Sequence, residues 1–483
     1  MKTLSCTIAL LSLFLLGAHS RVQETVITGQ VIGNTDKIVF SNPNQGTNFT
    51  GFRDTTFVDE NGRFELKFNL RQPAFISLWN PIERSFFRLL LEPGSQSHIL
   101  IDTENGIEIS GTNEAGQRLL KTLPNRLEIE TIGSFAEKSS TAIYEKIQSL
   151  IEADMREFRQ LRDENKISTS FYELIKIDRN VYYALVESNV LVFKTLAALM
   201  FEGRGDEFNN LLENWKRIYA QHPPDNENLL ISTFWFEYAQ MFFGEFALIS
   251  EKDFNIFRMM ELLDCGAVYA AFRINQAQKQ LIGKSLEFFQ AATLFSAARG
   301  NFGKKLIALF QQFKENYPKS EYSRYIQPLM DRIVAFHRDT DLSDNIIFIE
   351  NSENINTLAE LIEPMKGRKI YITVWATWCG PCRAAFRYSE VLREILDRNN
   401  IQMLYISIDN ENATQQWKDI IRFHDLAGKH IRANENLIKN DLIDADSRSI
   451  AVPLYILIDE QGNILQRNAQ EPSQIVSAGN IYF

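Results

Sequence analysis

The chain has 483 residues, a formal net charge of −10 and no Lys/Arg-rich run, which argues against nucleic-acid binding. Hydrophobic residues make up 45% and charged residues 23%, so the body is globular rather than disordered, and the length calls for two to four domains.

The N-terminus reads as an export signal over residues 1–20. Lys2 gives a short positive start, Leu4 to Leu16 is an apolar stretch of the right length, and Ala18-His19-Ser20 offers small residues for cleavage. The stretch is short for a membrane span, and an uncleaved anchor is the alternative. Cys6 lies inside it, and Thr3-Leu4-Ser5 fits a lipoprotein cleavage box poorly. No later segment reads as apolar enough to span, so the mature chain is expected not to cross the membrane. It would keep Cys265, Cys379 and Cys382, too few for a disulfide-stapled scaffold. Cys265 reads as a small buried core residue.

Residues 24–122 predict an all-β domain, a sandwich or a small barrel. Thr25 to Val31 alternates. Thr56-Phe57-Val58, the turn Asp59-Glu60-Asn61-Gly62 and Arg63 to Phe68 read as strand, turn, strand. Strands follow at Ala74–Trp79, Phe86–Leu91, Ser97–Ile101 and Ile107–Ser110, with a turn at Glu92-Pro93-Gly94. Residues 125–337 predict an all-α region. Ile143, Ile147, Leu150, Ile151, Phe158 and Leu161 recur at helical spacing, and His222-Pro223-Pro224-Asp225 and Tyr317-Pro318 break the pattern. Its aromatic runs, such as Phe234-Trp235-Phe236, read as helix-packing core in preference to a groove for unfolded clients. Arg338 to Asp344 is a polar linker.

Residues 345–483 alternate strand and helix, as an α/β fold should. Lys369 to Trp375 and Ile401 to Asp409 read as buried strands, Thr414 to Leu426 as a helix, and Leu454–Asp459 with Ile464–Gln466 as an antiparallel hairpin. Between the strand at 369–375 and a helix expected over Arg383–Arg398 lies Trp378-Cys379-Gly380-Pro381-Cys382. This puts Cys379 at a helix N-terminus, where free N–H groups and the dipole favour a thiolate. Such placement takes a cysteine pKa from about 8.5 into the range of roughly 3.5–7.5. Cys382, three residues on, can close or open a disulfide with it. A zinc half-site would need a further Cys or His pair, and His19, His98, His222, His337, His424 and His430 are scattered. No metal or other cofactor is expected.

The run Trp375-Ala376-Thr377-Trp378-Cys379-Gly380-Pro381-Cys382-Arg383 resembles the active site of the thioredoxin superfamily, nearest to its exported TlpA/ResA-type thiol–disulfide oxidoreductases. The order Gly-x-Val, Asn-Gly-x-Phe, Leu-x-Pro-Gly, Ser-Gly-Thr in the first region is similar to the β-sandwich found before such domains in exported proteins of Gram-negative bacteria. The resemblance implies a multidomain chain ending in a thioredoxin-like fold, with Cys379 and Cys382 catalytic. It implies that Pro453 is a cis-proline facing the dithiol, and that Val452 offers its backbone to a substrate strand. Trp378, Gly380 and Pro381 complete the expected substrate contacts. Gly380-Pro381 is the dipeptide of reducing thioredoxins.

Three departures from the family pattern stand out. The family's buried carboxylate, which serves the second cysteine, falls at Thr373 or Ala385, and neither is acidic. The helix-kinking proline is replaced by Arg387, so Arg383 and Arg387 are candidates for favouring the thiolate instead. Ser473 to Ala478 leaves room only for a short C-terminal helix. The expected function is a periplasmic disulfide reductase or isomerase acting on exported proteins and fed by a membrane-bound electron donor. The alternative is a partner- or ligand-binding protein whose thioredoxin-like domain has little turnover.

Overall fold

The computed structural model describes residues 22 to 482 except 34–35, 42–48, 50–53, 81–84, 125–126, 128–131, 136–138, 253, 255, 257–258, 260–265, 339–341 and 444–449. The export signal with Cys6, and Cys265, therefore lie outside the described residues. The chain forms two compact units, Met1–Met259 with Phe272–Ala292, and Met260–Ala271 with Thr293–Phe483.

In the first unit, eight strands form two four-stranded sheets. They are β1 (Gln23–Ile32), β2 (Lys37–Phe40), β3 (Asp54–Phe57), β4 (Arg63–Leu70), β5 (Ala74–Asn80), β6 (Ser85–Leu91), β7 (Gln96–Asp102) and β8 (Gly106–Gly111). The orders are β4-β1-β7-β8 and β3-β2-β5-β6. Ile27, Leu66 and Ile99 from one sheet meet Ile76, Leu78 and Leu89 from the other in a single core, as the alternating sequence requires. The β3–β4 connection turns where expected. Asp59 Oδ1 accepts the N–H groups of Asn61 and Arg63 at 2.9 and 2.8 Å. Gly62 there has φ 72°, and a Cβ would stand 2.3 Å from the Val31 carbonyl oxygen.

Strands β5 and β6 read as continuous apolar runs because both faces are covered. Their second face, with Phe75 and Leu90, packs on helices α1 (Glu114–Thr122), α2 (Ser140–Asp163) and α3 (Thr169–Glu202) through Leu120, Met155, Phe158, Phe171 and Ile175. Helices α2 and α3 begin at Ser139 and Ser168, whose hydroxyls accept the N–H groups of Ala142 and Phe171. Helix α3 corrects the reading that no later segment is apolar enough to span: Thr169–Phe201 is, by length and composition. In the fold it carries the fully buried Asp178 and Arg179 and packs against α2, α4 (Asp206–Gln221) and α5 (Trp235–Met241). Arg88 of β6 meets Asp178 at 3.1 Å, and the Ser232 hydroxyl donates to the same carboxylate at 2.9 Å.

The second unit is built on a six-stranded sheet of order β14-β13-β10-β11-β12-β9. Its strands are β9 (Ile346–Phe348), β10 (Lys369–Trp375), β11 (Ile401–Ser407), β12 (Gly428–Arg432), β13 (Leu454–Ile458) and β14 (Ile464–Gln466). β10 is central, parallel to β11 and antiparallel to β13. The short strands β2, β9 and β12 had no clear periodicity in the sequence. Helices α6 (Lys305–Asn316) and α7 (Ser323–Arg338) belong to this unit; α6 packs on α7, and α7 on helix α8 (Thr414–Phe423). Phe302 and Phe336 pack on Phe423 with ring centroids 5.1 and 5.6 Å away, and Arg332 donates to the Phe423 carbonyl at 2.6 Å. The C-terminal helix, Pro472–Ala478, is short, as the sequence indicates.

The helix expected over 383–398 is broken. An α-helical turn, Gly380–Ala385, is followed by a 3₁₀ turn at Phe386–Tyr388 and a second helix at Ser389–Arg398. The break exists with Arg387 in place of proline. Phe386 is buried edge-on to Trp375 at 5.0 Å and lies 5.4 Å from the His424 ring, which anchors the chain at that point.

Candidate active site

The parallel strands β10 and β11 end side by side, with Trp375 in register with Ser407. Both chains turn there, and the turn leaving β10 carries the two thiols. Cys379 is the N-cap of the helical turn, and its sulfur accepts the Cys382 N–H at 3.1 Å. The Cys379 N–H donates to the Ala376 carbonyl at 3.0 Å, and the Arg383 N–H to the Cys379 carbonyl at 3.1 Å. The two sulfurs are joined as a disulfide, with Cα atoms 5.3 Å apart. Cys379 is 4% exposed and Cys382 fully buried. That ordering gives the first sulfur to a partner and keeps the second behind it.

The remaining predicted residues are placed as follows. Gly380 and Pro381 are exposed, and Trp378 is 66% exposed beside the N-cap. Trp375 is core, as read. The Val452–Pro453 peptide bond is cis. Val452 packs on the cluster that contains Cys379, Cys382, Trp375 and Phe386, so the structure brings the loop before β13 against the dithiol. Thr373 is buried, and its hydroxyl has no hydrogen-bond partner among the described residues. Neither it nor Ala385 supplies an acid. Arg387 is exposed with its guanidinium over the Tyr388 ring at 5.0 Å. Arg383 lines a cavity together with Phe302, Phe336 and Arg422.

Sequence reasoning missed Asp409. It lies just past β11, is 5% exposed, and grips the motif from behind. Its two oxygens accept the Thr377 N–H at 2.8 and 3.1 Å, the Thr377 hydroxyl at 2.8 Å and the Ser407 hydroxyl at 2.7 Å. Its donors are neutral, so the clamp fixes Thr377 two residues before Cys379 without a neutralising cation. The signal was present in the sequence, since Asp409 ends the strand that runs parallel to the motif strand. Which turn it would hold was not readable without the register.

Two buried histidines flank the site. Burial pulls the His424 pKa down to about 3, helped by the charges of Arg332 and Arg383. Burial pulls His430 down to about 4, against its hydrogen bond to the Leu426 carbonyl. Both are neutral imidazoles at pH 7, and His430 stacks on Tyr405 at 4.8 Å. Among the described residues no cluster of His, Cys, Asp or Glu has the make-up of a metal centre.

Residues 348–480 match the Redoxin family. The chain is 31% identical over 106 residues to a thioredoxin of Coprinus comatus, covering 95% of that protein and 20% of this chain. It is 28% identical over 104 residues to the thioredoxin-like protein YneN of Bacillus subtilis (strain 168), where the match takes in 21% of this chain and spans 57% of the relative. Among solved structures, StoA from Bacillus subtilis matches with a TM-score of 0.20 and 20% identity, over 24% of this chain and 84% of that one. With its dithiol at a helix N-cap beside a cis-proline, the chain belongs to the thioredoxin superfamily, as a thiol–disulfide oxidoreductase.

Proposed function

We propose that this is an exported, periplasmic enzyme that reduces or reshuffles disulfides in other exported proteins through Cys379 and Cys382. The observation that carries the reading is the pairing of an N-cap cysteine that keeps 4% exposure with a fully buried one across a single helical turn. The apolar Leu4–Leu16 stretch supports export.

In the reducing direction, the Cys379 thiolate attacks a substrate disulfide. The substrate S–S bond breaks, one substrate thiolate leaves, and a mixed disulfide forms. Cys382 gives up its proton and attacks the Cys379 sulfur, releasing the second substrate thiolate. Two electrons pass to the substrate, and the protein is left with the Cys379–Cys382 disulfide. A thiol donor, membrane-bound in this reading, returns the pair to the dithiol. Trp378, Gly380 and Pro381 offer the surface, and Val452 with Pro453 the backbone edge, against which a substrate strand lies.

Insulin reduction by dithiothreitol, followed as turbidity, tests this. The full chain is expected to accelerate it, Cys379→Ser to return it to the uncatalysed rate, and Cys382→Ser to trap a mixed disulfide. The second reading, a partner-binding protein with little turnover, is favoured by the lack of an acid at Thr373 and Ala385. It predicts equal rates for the wild type and Cys379→Ser.

A further inference from the structure

The last turns of helix α3 carry an apolar face that the described residues of the first unit leave open. Ala197 is exposed at its centre, and Phe193, Met200 and Phe201 around it are 62%, 64% and 85% exposed. At about 100° per residue these four share one side of the helix. A helix face turned to water is normally polar, and here Lys194 is its one charge among the described residues. Large apolar side chains gathered on a surface in this way mark an interaction site. Spanning a membrane does not explain them, although the helix is long and apolar enough to do so. Earlier turns of α3 bury Asp178 and Arg179, paired with Arg88 at 3.1 Å and with Asp154 at 3.4 Å, and those pairs seat the helix among elements of its own chain.

The spacing of the face is symmetric. Phe193 and Phe201 stand four residues either side of Ala197, and Lys194 and Met200 three residues either side. Two such helices crossing antiparallel at Ala197, about a two-fold axis, set Phe193 of each copy against Phe201 of the other, and Lys194 against Met200. A two-fold interface demands this reciprocity, with one residue meeting a second and the second meeting the first. No charge meets a like charge in it, the lysine stem lies along the methionine, and the helix dipoles run opposed. The small side chain at the crossing lets the two backbones approach. Beside it is a cavity of about 480 Å³, lined by Ile132, Val190 and Ala198 together with Ala197 and the two phenylalanines. Each copy thus offers both an aromatic knob and a hole to receive one. A lipid surface or an unfolded polypeptide would use the apolar area, but has no need of the symmetric spacing.

Taking about 200 Å² for each large side chain, the open parts of Phe193, Met200 and Phe201 come to about 400 Å² per copy, so pairing buries about 800 Å² before the rim is counted. Stable complexes bury about 1,200–2,000 Å², which makes this a weak, concentration-dependent contact. We infer that the face is where two copies of the chain pair, antiparallel along the ends of α3. The pairing involves neither sulfur, so it stands whether or not the dithiol reading holds.

The experiment is sedimentation velocity of the full chain from about 1 to about 500 μM, where a contact this small associates, in dithiothreitol so that no intermolecular disulfide contributes. The wild type is expected to pass from monomer to dimer across that range. Phe193→Lys and Phe201→Glu are each expected to weaken pairing at least tenfold. Their mixture is the sharper test. The mixed pair sets the introduced lysine against the introduced glutamate and keeps one Phe193–Phe201 contact, so it is expected to form at least fivefold more tightly than either variant pairs with itself. Both positions are exposed, so each variant should keep the wild-type Tm. Ala197→Glu, which brings two carboxylates face to face at the crossing, is expected to abolish pairing and serves if either variant fails to fold. A wild type that stays monomeric throughout overturns the inference, whether it instead binds phosphatidylcholine vesicles, an apolar peptide or neither. So does a dimer that Phe201→Glu or Ala197→Glu leaves within twofold of the wild type, and so does a mixture no tighter than its separate components.

Discussion

Asp178 and Asp409 are both buried carboxylates, and their surroundings differ in one respect. Asp178, in the first unit, is neutralised by Arg88 and accepts from Ser232 and the Thr233 N–H. Asp409, in the second, accepts from Thr377 and Ser407, with no cation beside it among the described residues. A neutralised pair projects little field and acts as a joint, here between strand β6 and helix α3. An un-neutralised carboxylate keeps its field, and this one holds Thr377, two residues before Cys379. The same residue type thus holds the scaffold in one unit and can tune chemistry in the other.

The largest way to break this comparison is to remove Asp178. Asp178→Ala strands the buried Arg88 charge, and is expected to cost about 3–5 kcal/mol in urea unfolding. Insulin reduction per folded molecule should not change. A loss of activity in the folded fraction would mean that Asp178 does more than join elements.

Per pH unit, the next largest effect is on stability against pH. The folded pKa values of His424 and His430, about 3 and about 4, lie below the unfolded value of about 6.5. Between these limits the unfolded chain binds more protons, so their contribution is complete above pH 6.5 and is lost as pH falls toward 4 and then 3. The slope is about 1.4 kcal/mol per pH unit for each histidine. Melting curves from pH 7 to 4 should show the fall, and His424→Gln should flatten it.

Asp409 sharpens the comparison. Asp409→Asn keeps an acceptor for Thr377 but removes the charge. The midpoint of the pH profile for iodoacetamide alkylation of Cys379 is expected to drop by about one unit, since one unit equals about 1.4 kcal/mol of charge interaction. Thermal stability should fall less than in Asp409→Ala. An unchanged alkylation midpoint in Asp409→Asn would reduce Asp409 to a structural clamp. The smallest effect is expected from Arg387→Ala. Its exposed side chain is screened by solvent, and the alkylation midpoint should move by no more than a few tenths of a unit.

The fold was legible where one period dominated. The alternation of β1 and β4 and the continuous runs of β10, β11 and β13 were readable, as was the pause at Pro223-Pro224. Illegible elements had another cause. Strand β12, Gly428–Arg432, contains lysine, histidine and arginine, and is a strand because β11 and β9 flank it. Helix α2 was read for its periodicity, but the apolar length of helix α3 was not read, because its polar residues Asp178, Arg179 and Glu187 find partners only in the folded bundle. At the site, the two cysteines and the proline followed from the motif. Asp409 and the cavity behind Arg383 depend on register and on a helical segment more than 80 residues earlier, which no local pattern encodes.

The most direct measurement is the equilibrium reduction potential of the Cys379/Cys382 couple in glutathione and dithiothreitol buffers. The account predicts a two-electron couple below about −200 mV, toward thioredoxin, because Gly380-Pro381 and the un-neutralised Asp409 both disfavour a strongly stabilised thiolate. A value near about −120 mV would contradict it, as would a pair that does not exchange with either buffer.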